Sequence, residues 1–136
     1  MKQSAGIIVK VNNRCLVCKR AADVNEPAKW AIPMGGIDEG EDPKDTAYRE
    51  FYEEMGVSID GVIKPLVRIN RFNKLGNIKS ILHVFLFKTD TEIIPDLDGA
   101  ADGFEHTECE YITLQQIKEL NMSSGIKEVL TDLLNF

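Results

Sequence analysis

No stretch of this 136-residue chain is apolar for long enough to cross a membrane, since nothing approaches the roughly 20 consecutive apolar residues that a spanning helix needs. The opening residues, MKQSAGIIVKVNN, hold too short an apolar run for a secretory signal. The cytoplasm is therefore the expected location, and no membrane is an expected partner. Basic residues are in deficit, 16 against 22 acidic, for a net charge of −6, which disfavours nonspecific attraction to nucleic acid. Cysteine is scarce as well. Three of them, an odd number in a chain with no export signal, argue against a disulfide framework. Cys15 and Cys18 form a C-x-x-C within RCLVCKR, but residues three apart on a strand point to opposite faces, and no second Cys/His pair stands at zinc spacing. Both are expected as free thiols, buried or half-buried. Linkers rich in Pro, Gly or Ser, low-complexity tracts and internal repeats are missing too, so residues 1–136 are expected to fold as one domain.

What is present is the balance of a globular protein, 43% hydrophobic and 28% charged. AGIIVKV (Ala5 to Val11) and CLVCKR (Cys15 to Arg20) read as two strands joined at Asn12-Asn13, a hairpin signal. Val62 to Asn70 and Ser80 to Lys88 are rich in β formers, the second nearly continuous in apolar residues, and both read as the centre of a sheet. Glu110 to Thr113 is a short strand candidate. Leu114 to Leu120 reads as a short helix and Ser124 to Leu134 as a final one, with Ser123 or Ser124 available as its cap. Strands and helices alternate irregularly, which predicts an α/β fold with helices packed on a mixed sheet.

The densest feature is GGIDEGEDPKDTAYREFYEEMGV, Gly35 to Val57, with eight acidic residues against Lys44 and Arg49. Asp42 can cap a helix starting at Pro43, where the missing N–H of proline costs nothing, and Asp45 suits the first turn. Gly56 supplies the stop. Tyr48, Phe51, Tyr52 and Met55 fall at i, i+3, i+4 and i+7 and predict one apolar stripe against the sheet. Glu50, Glu53 and Glu54 then lie in a sector of roughly 100° on the opposite face. Such a cluster reads either as a solvated acidic face, with Arg49 pairing Glu53 at i, i+4, or as oxygen ligands on a rigid helix for Mg²⁺ or Mn²⁺.

The frame around the helix separates these readings: Gly35, five residues, Glu41, seven residues, Arg49-Glu50, an apolar residue, one more, Glu53-Glu54, one more, Gly56 and apolar Val57. This resembles the box of the Nudix hydrolase superfamily at every specified position. The resemblance implies an α/β/α sandwich and divalent-cation-dependent hydrolysis of the diphosphate linkage in a nucleoside diphosphate joined to another group. It matches Glu50, Glu53 and Glu54 to the metal ligands and Arg49 to the arginine that orients a box glutamate. Gly35 and Gly36 match the loop that runs close to metal and phosphates, and Glu41 a supporting carboxylate.

A general base is still needed. GFEHTECEYITLQQI looks like the segment ahead of the last strand in many relatives, where an acidic residue stands six before an aromatic one. Glu105 stands six before Tyr111, with Glu108 and Glu110 as alternatives and His106 read as an exposed loop residue. WAIPMGGIDEGEDP is similar to the branch that contains dinucleoside polyphosphate hydrolases and RNA 5′-pyrophosphohydrolases, although Met34 stands where that branch usually has glutamine. Phe72 and Tyr111 could stack a base, and Arg68, Arg71 and Lys74 could meet distal phosphates. The expected substrate is a nucleoside or dinucleoside polyphosphate. ADP-ribose, NADH, an RNA 5′ end and a non-catalytic nucleotide sensor are the alternatives. A monomer or a homodimer is expected.

Overall fold

The computed structural model describes residues 1–20, 29–99, 106–123 and 125–135, and the strands follow the alternation written in the sequence. Strand β1 (Lys2–Val11) turns at Asn12, whose φ of 55° is left-handed, into β2 (Arg14–Arg20). Short strands β3 (Trp30–Ala31) and β4 (Met34–Gly36) lead to helix α1 (Pro43–Met55). Then come β5 (Lys64–Phe72), β6 (Ile78–Thr89), β7 (His106–Ile112) and helices α2 (Leu114–Glu119) and α3 (Ile126–Leu134).

The sheet runs in the order β3-β2-β1-β6-β5, with β4 pairing β1 and β7 pairing β2. Strands β1 and β6 are parallel and the other pairs antiparallel, so the sheet is mixed as expected. Period-two alternation gives strands β1, β2 and β6 two buried faces. Ala5, Ile7, Val9, Leu16 and Phe85 pack with Ala47, Phe51 and Met55 of α1, while Ile8, Val17, Leu82 and Val84 pack with Ile117, Ile126 and Leu130 of α2 and α3. Two apolar layers on one sheet make the α/β/α sandwich.

Four sequence expectations need correction. Strand β5 is an edge strand whose side chains are mostly exposed, not a central one. Pro65, a bulge between Pro65 and Val67, and Lys64, Arg68 and Asn70 are features that guard an edge. Strand β7 begins at His106 rather than Glu110, because its pairing with β2 extends to Arg20↔His106. Helix α3 is capped by Gly125, at φ 86°, and not by a serine. Ser123 is buried, with its backbone N–H on the Trp30 carbonyl at 2.9 Å, and Ser124 lies outside the described residues.

The last correction concerns cysteine. Cys15 is a buried free thiol, pushed up to about 12 by burial, but Cys18 forms a disulfide with Cys109. The two stand directly opposite on β2 and β7, 91 residues apart in sequence. Only the strand pairing brings them together. The C-x-x-C partners do face opposite layers, Cys15 towards α3 and Cys18 towards α1, where the Met55 sulfur lies 3.6 Å from that of Cys18. No helix among the described residues is long and apolar enough to span a membrane.

Candidate active site

Helix α1 is fixed at both ends by the residues expected to fix it. Asp42, extended at φ −74° and ψ 139°, accepts the Lys44 N–H at 2.9 Å, and Pro43 begins the helix. Gly56, left-handed at φ 72°, returns its N–H to the Tyr52 carbonyl at 3.0 Å. A Cβ at Gly56 would overlap the Asp96 carbonyl, so the position excludes side chains twice over.

The helix is rotated relative to its expected stripe. Thr46, Ala47, Phe51, Glu54 and Met55 form the buried face, whereas Tyr52 is 53% exposed. Tyr48 sits at the margin, donating its hydroxyl to the Gly61 carbonyl at 2.6 Å and accepting the Ile63 N–H at 3.0 Å. Small Ala47 lets the helix approach the sheet on that side, and Glu54, at i+7 from it, comes along. Glu54 is therefore 2% exposed rather than solvent-facing like a surface acid. Carboxylates are seldom this deeply buried, so the rotation of the helix sets an acid of the box within the packed face instead of on the solvent side.

Arg49 organises the remaining carboxylates. Its Nε donates to Glu41 Oε2 at 2.9 Å and its Nη2 to Glu41 Oε1 at 2.8 Å, a two-toothed pair. Its Nη1 reaches Glu50 Oε1 at 2.9 Å and Glu53 Oε2 at 3.1 Å, and Nη2 also reaches the Gly36 carbonyl at 3.1 Å. Glu41 accepts the Thr46 hydroxyl at 2.6 Å as well. The Arg49 bond, then that of Thr46, holds the Glu41 carboxyl down at about 2. Arg49 in turn is raised above its ordinary range, chiefly by Glu41. One guanidinium thus ties the loop of Gly36 to Glu41, Glu50 and Glu53.

The glycine pair sits directly over this network. A Cβ at Gly35 would overlap the Glu50 carboxylate, so the close approach of strand β4 to α1 requires glycine. Gly35 and Gly36 also line a cleft of about 820 Å³, together with Arg71 and Phe72 of β5. The structure therefore brings together four residues assigned to substrate and places them beside the box carboxylates. Lys2, Arg20 and Lys79 line the same cleft. Sequence reasoning missed these three, because they come from β1, β2 and β6 and share no local spacing.

Other candidates fall elsewhere. Tyr111 is not near Phe72: it lines a second depression with Arg14 and Glu110, and its hydroxyl donates to the Ile93 carbonyl at 2.7 Å and accepts the Ile93 N–H at 2.8 Å. Glu108 is exposed on β7, 3.8 Å from the Lys19 amine. Arg68 stands in register with His83 on β6, where burial first and Arg68 second lower the imidazole pKa. Lys74 lies in the exposed β5–β6 turn, and His106 opens β7 instead of standing in a loop. Glu105 lies outside the described residues.

An α/β/α sandwich with a glycine strand end set on an arginine-tied acidic helix defines a protein of the Nudix type. The family model described as the NUDIX domain matches residues 1–133, and the chain belongs to that family. It is 47% identical over 51 residues to an RNA pyrophosphohydrolase of Bartonella tribocorum, a match covering 38% of this chain and 30% of that protein. Under a third of that relative's length is spanned. Among solved structures it is similar to a MutT NUDIX hydrolase from Burkholderia pseudomallei, with a TM-score of 0.75, 19% identity and 95% of each chain covered. It also resembles the NUDIX domain of Shewanella oneidensis NrtR, crystallised with ADP ribose, with a TM-score of 0.75, 13% identity, and 98% of this chain and 86% of that one covered. At those identities the two structures carry the fold alone.

Proposed function

We propose that the chain is a divalent-metal-dependent pyrophosphohydrolase that cleaves the diphosphate linkage of a nucleoside diphosphate joined to another group, with a nucleoside or dinucleoside polyphosphate as substrate. The observation that carries this reading is the Arg49 network, which sets Glu50 and Glu53 against the Gly35-Gly36 loop at the edge of a cleft lined by arginine and lysine.

The donor set suits Mg²⁺ or Mn²⁺. Glu50, Glu53 and Glu54 offer only oxygen, the preference of hard cations, and Gly35, which lacks the Cβ that would overlap the Glu50 carboxylate, lets the β4 backbone come directly against it. Among the described residues no three carboxylates are already grouped around one point, and Arg49 engages Glu50 and Glu53 in this conformation. Glu50, Glu53 and Glu54 would hold the metal. Bound there, it would neutralise the diphosphate and lower the pKa of a water. The water oxygen bonds to phosphorus as the bridging P–O bond breaks, and the water's proton passes to a carboxylate, for which Glu105 is the proposed acceptor. Arg49 is a positioning residue: it holds Glu41, Glu50 and Glu53 in place. Cytoplasmic location and a monomeric or homodimeric state belong to the same proposal.

A second reading, an RNA 5′ end as substrate, is favoured by the local similarity to an RNA pyrophosphohydrolase across the box. A panel of nucleoside triphosphates, dinucleoside polyphosphates, ADP-ribose, NADH and 5′-triphosphorylated RNA, assayed for phosphate-containing products with and without millimolar Mg²⁺, tests both. Hydrolysis of at least one member that needs metal and is lost in Glu53→Gln supports the proposal. Binding without turnover across the panel would make the chain a nucleotide sensor instead.

A further inference from the structure

The cleft beside Gly35 and Gly36 carries more positive charge than the cutting of a single diphosphate requires. Four cations, Lys2, Arg20, Arg71 and Lys79, line it against one acid, Glu128, in a chain whose net charge is −6. Chance sampling of this surface would give an excess of acids. The cations also come from four different strands, so the fold has gathered them from across the sheet.

Their placement is ordered by strand register. Lys2 on β1 pairs with Ser80 on β6, and Ser80 pairs with Arg71 on β5. Residues in register across a sheet project from the same face, so Lys2, Ser80 and Arg71 form one row across three adjacent strands. With strands about 4.8 Å apart, the outer two Cα atoms stand roughly 10 Å from each other. Ser80 lies between them with Lys79 next to it on β6, and Arg20, at the end of β2, lines the same cleft. Ile69, Met34 and Phe72 supply apolar surface on the same walls, Phe72 at 57% exposed. A row of cations with an apolar flank fits an extended polyanion that carries a flat apolar group.

We propose that this row is a seat for phosphates beyond the pair being cleaved. Lys2 and Lys79, with Arg20 and Arg71, make the enzyme select substrates with three or more consecutive phosphates over those with two. The inference rests on the hydrolase reading and adds the residues that set the length of the phosphate chain. A substrate with two phosphates fills the box end of the cleft and leaves the row empty. A longer chain reaches it and gains charge-assisted hydrogen bonds there.

The test uses the full chain with Mg²⁺ and compares ATP and a dinucleoside tetraphosphate with ADP-ribose, in wild type and in Lys2→Ala, Lys79→Ala, the double variant and Lys79→Arg. Each single alanine change should lower kcat/KM on the longer chains about tenfold, mostly through KM. Lys79→Arg should restore most of the loss. ADP-ribose hydrolysis should stay within about threefold. Equal losses on both substrate classes, or none on either, would overturn the proposal and leave the hydrolase reading standing. If the wild type hydrolyses nothing in the panel, that reading fails, and calorimetric binding of inorganic tripolyphosphate still decides the matter. Tighter binding to wild type than to the double variant keeps the seat, and equal binding removes it.

Discussion

Arg49 shares its guanidinium donors among three carboxylates and one backbone carbonyl, and no other cation can do this. A lysine at that position is a point charge without the fork that grips Glu41 with two teeth. Arg49→Lys should therefore lower turnover much more than it lowers Tm, a difference that melts and initial rates on one preparation would measure. Glu41 gives a prediction with a pH window. Its carboxyl is held at about 2, below the 4.5 of an unperturbed glutamate, so the folded state favours the ionised form. That contribution is fully present above pH 4.5 and is lost as the pH falls towards 2. The stability gap between wild type and Glu41→Gln should accordingly be constant near neutrality and should shrink on acidification through that window. A gap that widened below pH 4 would contradict the assignment. Glu53→Gln should cost rate by on the order of a hundredfold or more if Glu53 holds the metal. It should shift the metal-free stability by less than about 0.5 kcal/mol, since its bond to Arg49 is partly solvated. In both Glu53→Gln and Glu54→Gln, the rise of Tm on adding Mg²⁺ should shrink.

At the scale of the element, helix α1 is a rigid carrier held by its caps and its core face. Asp42→Ala removes the acceptor of the Lys44 N–H and should cost about 1 kcal/mol with or without metal. Gly56→Ala meets a left-handed φ and the Asp96 carbonyl together, so it should cost more than the roughly 1 kcal/mol of an ordinary φ penalty, read as a lower denaturant midpoint. Phe51, fully buried between α1 and the sheet, should cost about 3–5 kcal/mol on truncation to alanine. Much of α1 was legible beforehand. Asp42, Pro43 and Gly56 act on neighbours within one turn, and such short-range chemistry is written in the sequence. Its rotation about its axis was not. Four apolar or aromatic residues, Tyr48, Phe51, Tyr52 and Met55, defined a stripe by hydrophobicity, yet the tyrosines carry hydroxyls that can end at a margin, and the structure turned Ala47 inward. The acid that came with it, Glu54, could not be told from a surface glutamate by its spacing.

Across the whole molecule, the Cys18–Cys109 bond joins β2 to β7 over 91 residues. Closing so long a loop in the unfolded chain should be worth about 2–4 kcal/mol, so reduction by dithiothreitol, or Cys109→Ser, should lower Tm. Counting alkylated thiols in protein isolated without reductant would reveal the bond's state in the cell, and three alkylated cysteines would mean that the chain lives reduced. The sulfurs of Met55 and Cys109 lie 3.9 Å apart, so the bond also touches the last turn of the box helix.

The sequence alone determined the Nudix box, the caps of α1, the Asn12 hairpin and the alternation that gives each strand two faces, because each depends on residues within a few positions of one another. The tertiary structure decided which strand became an edge, which cysteines met, that Glu54 is buried, and that Lys2, Arg20, Arg71 and Lys79 share one cleft. Those outcomes depend on the order and register of strands, and the free energy that fixes them is spread over two apolar layers built from residues far apart in the chain.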